Sequence, residues 1–251
     1  MTKYFIYIML FFSIFSCSKK IEIDENKVFK LNRYDNISSL DPINARTQAN
    51  NWACNLMYNS LVKIDNELEI QPDIAKFWTI SEDGKTYSFT LRNDVFFHKH
   101  EAFGKDSTRI VTASDFEYSF NRLKDPKAGG SGGWIMNNID SYKAINDTLF
   151  EIKLKEAYPA FLGLISMKYA SVVPKELFKN GNDEFLKHPI GTGPFQFKIW
   201  EDNVKMVFRK NPKYFEFDEK GQRLPYLEAV NLSFLPEKNS EFLELIKDYF
   251  S

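Results

Sequence analysis

Short segments of strictly alternating apolar and polar residues constrain the fold of this chain more than any other feature. Residues 87–91 (YSFTL) and 150–154 (FEIKL) both show the alternation, which is typical of a strand with one buried face. Asp83-Gly84 and Asn146-Asp147 lie just before these segments and are residue pairs that favour tight turns. We therefore predict β-hairpins at both places.

Helical periodicity appears in only a few separate places. From Thr47 onwards, apolar residues recur at i, i+3, i+4 and i+7, which predicts a helix with one buried face. A second helix is expected to begin at Thr112 or Ser114, since either residue can cap it, and to end before Asp125-Pro126. Hairpins interleaved with scattered helices indicate a mixed α/β (α+β) class without a regular βαβ repeat. Further strands are predicted at 28–32, 61–65, 195–200, 204–209 and 229–235, and further helices at 174–181 and 239–250.

Composition excludes two broad classes of protein. Apolar residues make up 43% of the 251 residues and aromatic residues 16%, which is enough for a large core and excludes intrinsic disorder. The formal net charge is −1, whereas a nucleic-acid-binding protein normally carries a clear basic excess. We therefore expect a folded protein without a nucleic-acid partner.

The N-terminus has the pattern of a secretory signal. Lys3 precedes an apolar run over residues 4–15, which is shorter than the roughly 20 residues that a membrane-spanning helix needs. The segment 14–17 (IFSC) resembles a bacterial lipobox, in which the cysteine receives a lipid. We predict a lipoprotein signal peptide over 1–16, lipidation at Cys17 and a polar tether over 17–26. The alternative is a plain secretory signal or membrane anchor in which Cys17 is incidental.

The residue types that most often perform catalysis or bind metal are sparse. His98 and His100 would share a face of an extended segment, but structural metal sites usually need four ligands, so we expect a solvated strand end and no metal. His188 has no recognisable partner in sequence, and Cys54 is expected to be a buried structural thiol.

Glycine-rich segments do not complete a known cofactor motif. Residues 129–133 lack the Lys-Ser/Thr of a P-loop, and the glycines of 191–193 lack the third glycine of a dinucleotide fingerprint. No HExxH motif is present in the sequence. We therefore predict neither an enzyme nor a bound cofactor.

Two places are predicted to contact a ligand. Trp134 follows the glycine-rich loop, where helix or strand periodicity does not explain a large aromatic side chain. The second place contains Gly191, Thr192, Gly193 and Phe195, because glycine allows another molecule to approach the backbone closely. The alternative is that both loops pack on their own domain.

A series of motifs, taken in order, resembles the extracytoplasmic solute-binding proteins of the peptide/nickel family of ABC importers. Each motif is weak alone, but their shared order is specific. They are 39–42 (SLDP), 59–62 (NSLV), 72–75 (PDIA), 78–87 (WTISEDGKTY), 89–97 (FTLRNDVFF), 111–116 (VTASDF), 191–195 (GTGPF) and 211–215 (NPKYF).

The resemblance implies a periplasmic binding protein-like class II fold, with two lobes that enclose a ligand. The core of the first lobe would comprise residues 27–65 plus 188–251, and an inserted subdomain would occupy 66–187. Family members are about twice as long as this chain, so we expect it to be a truncated form that lacks the second lobe.

The same resemblance implies a function in uptake. The protein would be a substrate-binding lipoprotein of an ABC importer that captures peptides and delivers them to permease subunits. Its lipid anchor would hold it at the periplasmic face of a membrane in the cell envelope. The alternatives are a receptor for another solute, such as a metal chelate or oligosaccharide, and a structural or adhesion lipoprotein.

Overall fold

The computed structural model describes residues 24–128, 130–178 and 183–235. Within them, two four-stranded sheets and one two-stranded sheet combine with four α-helices. The strands are β1 (Val28–Arg33), β2 (Val62–Ile64), β3 (Ile70–Pro72), β4 (Ala75–Ile80), β5 (Thr86–Leu91), β6 (Ile139–Ala144), β7 (Leu149–Leu154), β8 (Phe195–Glu201), β9 (Lys205–Lys210) and β10 (Ala229–Phe234). The helices are α1 (Gln48–Met57), α2 (Ala113–Lys124), α3 (Phe161–Ile165) and α4 (Asp183–Lys187).

The first four-stranded sheet has the order β1-β10-β9-β8. Strands β1 and β10 are parallel, with Arg33 opposite Phe234, while β9 runs antiparallel to both β10 and β8. Lys205, at the start of β9, pairs with Ser233 near the end of β10. One edge of this sheet therefore collects the carboxyl ends of β1 and β10 and the turn between β8 and β9.

The second four-stranded sheet is antiparallel, has the order β4-β5-β7-β6 and lies within residues 75–154. The apolar residues of the alternating segments are buried on one face, as predicted. Helix α2 covers this face, and the rings of Phe116 and Phe120 lie 5.9 and 5.5 Å from the ring of Phe150. Gly84 occupies the predicted turn with a φ of +69°, a conformation that glycine adopts without steric cost.

Local capping explains where the two long helices begin. The Thr47 hydroxyl accepts a hydrogen bond from the Asn50 amide at 3.1 Å at the start of α1. Thr112 rather than Ser114 caps α2, and it forms a capping box with Asp115. Each cap satisfies backbone donors that the first turn of a helix leaves free.

Two of the predicted segments are shorter in the structure or differ in type. The segment predicted as a helix at 174–181 contains a 3₁₀ turn, Lys175–Phe178, and the predicted strand 61–65 is reduced to β2. The predicted helix 239–250 lies outside the described residues. The two large sheets use different parts of the chain, although the boundaries at 65 and 188 remain a prediction.

Membrane-spanning potential can be judged only for the described ranges. In them, no helix is both long enough and apolar enough to cross a bilayer.

Candidate functional site

The edge that contains the carboxyl ends of β1 and β10 exposes a short polar and aromatic segment. In open sheets, ligands bind outside the carboxyl ends of parallel strands. Tyr34, the first residue after β1, is 76% exposed. The Asn36 amide donates to Asp202 Oδ1 at 2.8 Å and to Asn203 Oδ1 at 3.0 Å, so the segment after β1 is joined to the β8–β9 turn.

Arg33 gives this segment a defined shape. Its guanidinium donates twice to the Asp35 carboxylate, at 3.0 and 3.1 Å, and lies 6.0 Å from the centroid of the Trp52 ring. A bidentate contact of this kind fixes the guanidinium plane. Arg33 and Asp35 therefore neutralise each other and leave Tyr34 between them facing solvent.

Buried polar groups hold the chain that follows. Asn50 Oδ1 accepts hydrogen bonds from the amides of Ser38 and Ser39, at 3.0 and 3.4 Å. The Tyr58 hydroxyl donates to the Leu40 carbonyl oxygen at 2.8 Å. Asn50, Tyr58 and Leu40 are buried, so their polar groups have to be paired. Residues 38–40 therefore form a wall that is hydrogen-bonded to α1 and to the residue that follows it.

Asp41 ends this wall with a buried ion pair. Its carboxylate accepts two hydrogen bonds from the Arg122 guanidinium, one of them at 2.8 Å, and both side chains are buried. The Arg122 guanidinium also lies 4.3 Å from the centroid of the Phe178 ring. The pair joins the wall to α2.

The glycine-rich loop packs against the turn that precedes α1. The Ser131 amide donates to the Ile43 carbonyl oxygen at 3.0 Å, and a Cβ on Gly132 would lie 2.4 Å from the Tyr169 ring. Trp134 remains 48% exposed and meets Tyr169 edge-on, with centroids 6.5 Å apart. The structure therefore places Trp134 in a 3₁₀ helix, Gly133–Asn138, directly after a loop that is hydrogen-bonded to the turn before α1.

The second predicted ligand-contact region is buried. A Cβ on Gly191 would lie 2.0 Å from the Met57 carbonyl oxygen, and a Cβ on Gly193 would lie 2.5 Å from the Met57 carbonyl carbon. The Thr192 hydroxyl donates to Asn59 Oδ1 at 2.9 Å, and Phe195 is in the core. The two glycines thus let the loop 191–193 pack closely against the carboxyl end of α1. The glycine-rich loop before Trp134 contacts the turn before α1 instead.

His98 corrects one expectation from sequence, because it is 2% exposed and not part of a solvated strand end. Its Nδ1 accepts from the Gly191 amide at 3.3 Å, so the neutral ring carries its proton on Nε2, which donates to the Gly193 carbonyl oxygen at 3.0 Å. Burial lowers the pKa of His98 from 6.5 to about 4. His98 is a neutral support for the glycine loop.

The other side chains that could react or bind a metal are those of His100, His188 and Cys54. The ring of His188 lies 6.1 Å from the ring of His100, a proximity that sequence did not indicate. In the part of the chain that the structure describes, no group of three or more His, Cys, Asp or Glu side chains could hold a metal. Cys54 is buried as predicted, and burial raises the pKa of its thiol to about 12, which removes its nucleophilic form at neutral pH.

Sequence reasoning missed the exposed segment that begins at Arg33 and Tyr34. The available signal was its position immediately after a predicted strand. That signal becomes informative only when β10 is known to lie parallel to β1, and the two strands are separated by most of the chain.

Comparisons with known proteins agree with the predicted resemblance. The chain is 31% identical over 209 residues to the dipeptide-binding protein of Escherichia coli, covering 76% of this chain and 38% of that protein. It is 29% identical over 204 residues to the nickel-binding periplasmic protein of the same organism, covering 80% of this chain and 36% of that protein. The chain therefore spans less than two fifths of the length of these two curated relatives.

Solved structures show the same similarity in three dimensions. The periplasmic binding protein DppA from Helicobacter pylori, in complex with the peptide STSA, matches with a TM-score of 0.78 and 28% identity, over 88% of this chain and 45% of that one. NikZ from Campylobacter jejuni, in complex with Ni(L-His), matches with a TM-score of 0.74 and 26% identity, over 89% of this chain and 42% of that one. These similarities confirm the predicted fold class.

A family profile covers most of the chain. The profile described as "Bacterial extracellular solute-binding proteins, family 5 Middle" matches residues 69–248. The described part of this range contains the second sheet, the buried loop 191–193 and Arg122, which pairs with Asp41. The chain belongs to family 5 of the bacterial extracellular solute-binding proteins.

Proposed function

We propose that the protein captures peptides outside the cytoplasm for uptake by an ABC importer. The observation that carries this proposal is the similarity to a solved relative that holds the peptide STSA. In support, the present chain exposes a polar and aromatic segment at the carboxyl ends of β1 and β10, where open sheets bind ligands. The permease subunits of the importer would receive the captured peptide.

In this proposal the aromatic side chains at the exposed surface contact the peptide. Tyr34 and Trp134 each combine an apolar ring with a polar tip, which suits a ligand that carries both apolar side chains and backbone amides. The opposed charges of Arg33 and Asp35 are already paired. The surface around this ion pair therefore favours ligands with little net charge.

The ligand contacts predicted for Gly191, Thr192, Gly193 and Phe195 stay a prediction. The contacts of this loop with Met57 and Asn59 also give it a structural role. The effect of a substitution in the loop on peptide binding therefore has to be measured together with its effect on the free energy of unfolding.

We further propose that Cys17 carries the lipid that anchors the protein at the periplasmic face of a membrane in the cell envelope. Cys17 and the first residues of the predicted tether lie outside the described residues. Support comes from the lipobox-like sequence 14–17 and from membership of a family of extracellular proteins. A second acyl chain would make such an anchor stable where one chain is marginal.

Peptide binding is best tested by the fluorescence of Trp134 in the full chain. The peptide STSA should produce a saturable change that is absent from a Trp134→Phe variant. Tyr34→Ala should weaken binding, whereas Tyr158→Ala, at another exposed tyrosine beside the second sheet, should leave it unchanged.

A nickel–histidine complex serves as the competing ligand in the same assay, because one similar structure holds Ni(L-His). We expect it to leave the fluorescence of Trp134 unchanged. Saturable binding of the nickel complex without any response to peptides would contradict the proposal and favour a receptor for metal chelates.

A further inference from the structure

A hairpin lies at the end of the first sheet where β1 and β10 begin, opposite the edge that exposes Tyr34. It belongs to the connection between β9 and β10 and spans residues 217–223. The Asp218 amide donates to the Gln222 carbonyl oxygen at 2.9 Å, and the Gly221 amide donates to the Asp218 carbonyl oxygen at 3.0 Å. Gly221 has a φ of +75°, which glycine adopts without steric cost. The hairpin therefore has a defined shape.

The predicted tether meets the fold at this same end. Val28, at the start of β1, is opposite Ala229, at the start of β10. The Glu228 amide donates to the Lys27 carbonyl oxygen at 2.8 Å, so the end of the β9–β10 connection lies against the residue that precedes β1. The hairpin is thus close to the point where the tether joins the sheet.

The length of the tether limits how far this end of the sheet can lie from a membrane. Lys27 follows Cys17 by ten residues, and an extended chain spans at most about 3.6 Å per residue. A lipid on Cys17 would therefore keep the start of β1 within about 36 Å of the bilayer surface. Since the six residues of β1 span about 20 Å, the hairpin reaches the bilayer with less extension of the tether than the opposite edge does.

Two half-exposed aromatic rings line one groove on this hairpin. Phe217 is 50% exposed and Tyr226 is 51% exposed, and both line a groove of about 600 Å³. The Arg223 guanidinium lies 4.4 Å from the centroid of the Phe217 ring, and the Tyr226 hydroxyl donates to the Asp218 carboxylate. Each ring thus has an apolar body and a polar partner, a combination that suits the headgroup region of a membrane.

The charges around the groove balance each other. Asp218 and Glu219 are negative, and Lys220 and Arg223 are positive. A balanced patch gains little from the negative field of an anionic membrane surface. It instead complements a headgroup that carries both charges, since a carboxylate pairs with an ammonium and Lys220 pairs with a phosphate.

We propose that the hairpin 217–223 and Tyr226 form a membrane-contact surface that docks on zwitterionic phospholipid headgroups, with the rings of Phe217 and Tyr226 entering the headgroup region. The inference rests on the proposed lipidation of Cys17 and adds an orientation to it. Because the anchor holds the bilayer at a high local concentration, a weak contact suffices. Docking leaves Tyr34 on the side that faces away from the bilayer, where peptides arrive.

The test uses the lipid-bearing protein recovered from cell membranes and reconstituted into vesicles of phosphatidylethanolamine and phosphatidylcholine. Gln222→Cys supplies one site for a fluorophore, because Cys54 is buried with a thiol pKa of about 12 and Cys17 carries the lipid. Phospholipids that are spin-labelled near the headgroup should quench a fluorophore at position 222. They should not quench the same fluorophore on Val204→Cys, at a residue that is 56% exposed in the β8–β9 turn of the opposite edge.

Two variants in the Gln222→Cys background separate membrane contact from an effect on folding. Phe217→Ser removes one ring and should lower the ratio of docked to undocked protein at least about fivefold. Phe77→Ser, at a phenylalanine that is 51% exposed on β4, is the matched control and should leave the quenching unchanged. Lys220→Glu keeps both rings, changes an exposed side chain and should lower the ratio about threefold by repelling the phosphate.

The outcomes distinguish this surface from the proposed anchor. Lipid-bearing protein without quenching at position 222, or with equal quenching at positions 222 and 204, would overturn the contact surface while the anchor stands. Quenching at position 222 that requires phosphatidylglycerol would overturn the assignment to zwitterionic headgroups. A Cys17 peptide that carries no lipid in mass spectrometry would refute the anchor and, with it, the orientation inferred from the tether.

Discussion

His98 should make the stability of the fold depend on pH between about 4 and 6.5. Its imidazole has a pKa of about 4 in the folded chain, against 6.5 for an unperturbed histidine. The unfolded chain therefore binds a proton in this range that the folded chain excludes, so stability falls as the pH falls below 6.5. Lowering the pH from 7.5 to 5 should remove about 2 kcal/mol through this group alone.

The structural origin of this loss is the hydrogen bond that the neutral ring accepts. Protonation of Nδ1 would replace the acceptor facing the Gly191 amide by a second donor, and it would place a charge in a site that is almost fully buried. Both effects penalise the charged ring. The loss of stability should therefore be accompanied by loosening of the loop 191–193 at the carboxyl end of α1.

Urea unfolding of the full chain, followed by far-UV circular dichroism at several pH values, measures this dependence. His98→Gln removes the titrating group. Between pH 7.5 and 5, the free energy of unfolding of this variant should therefore fall by about 2 kcal/mol less than that of the parent chain. His188→Gln, at an exposed histidine, is the control and should retain the parent dependence. Equal pH dependence in His98→Gln and the parent chain would refute the reasoning.

Three further predictions concern packing, the buried ion pair and the anchor. In urea unfolding, Gly193→Ala should lower the free energy of unfolding by at least about 2 kcal/mol, because its Cβ would lie 2.5 Å from a backbone carbon at the end of α1. The control is Gly163→Ala, whose Cβ would meet nothing within 4 Å and which should be neutral or stabilising. Arg122→Met should cost about 3–5 kcal/mol, since it leaves the Asp41 carboxylate buried without its partner; thermal unfolding should show that Asp41→Leu added to it recovers much of the loss. Cys17→Ser should abolish incorporation of labelled palmitate and release the protein from membranes, and label that still enters this variant would exclude lipidation at Cys17.

Local features of this protein were predictable because they depend on residues close together in sequence. The alternation in 87–91 and 150–154 marked strands, since a strand's side chains alternate between two faces whatever else the chain does. The helix start after Thr47 was visible because a cap needs only the next few amides. The burial of Cys54 was predictable for the same reason, as it lies beside the apolar stripe of α1.

The order of motifs along the chain also identified the family, and membership is confirmed by the match over residues 69–248. What the motifs did not reveal was the reason for the individual residues within them. The ligand contact predicted for Gly191 and Gly193 stays a prediction, and the fold adds a reason that the motif did not reveal, since both glycines make room for the end of α1. A glycine pattern shows that something approaches closely, but it does not say what approaches.

Only the tertiary structure decided which residues form the exposed edge and which lie beside the tether. Tyr34 belongs to that edge because β1 pairs in parallel with β10, and the same pairing brings the hairpin 217–223 close to the start of β1 across most of the chain. His98 is buried and neutral for the same reason, since its two hydrogen-bond partners lie more than ninety residues further along. Periodicity and capping act over a few residues, whereas strand pairing, burial and the fate of each polar group depend on contacts between distant segments that a single sequence does not display.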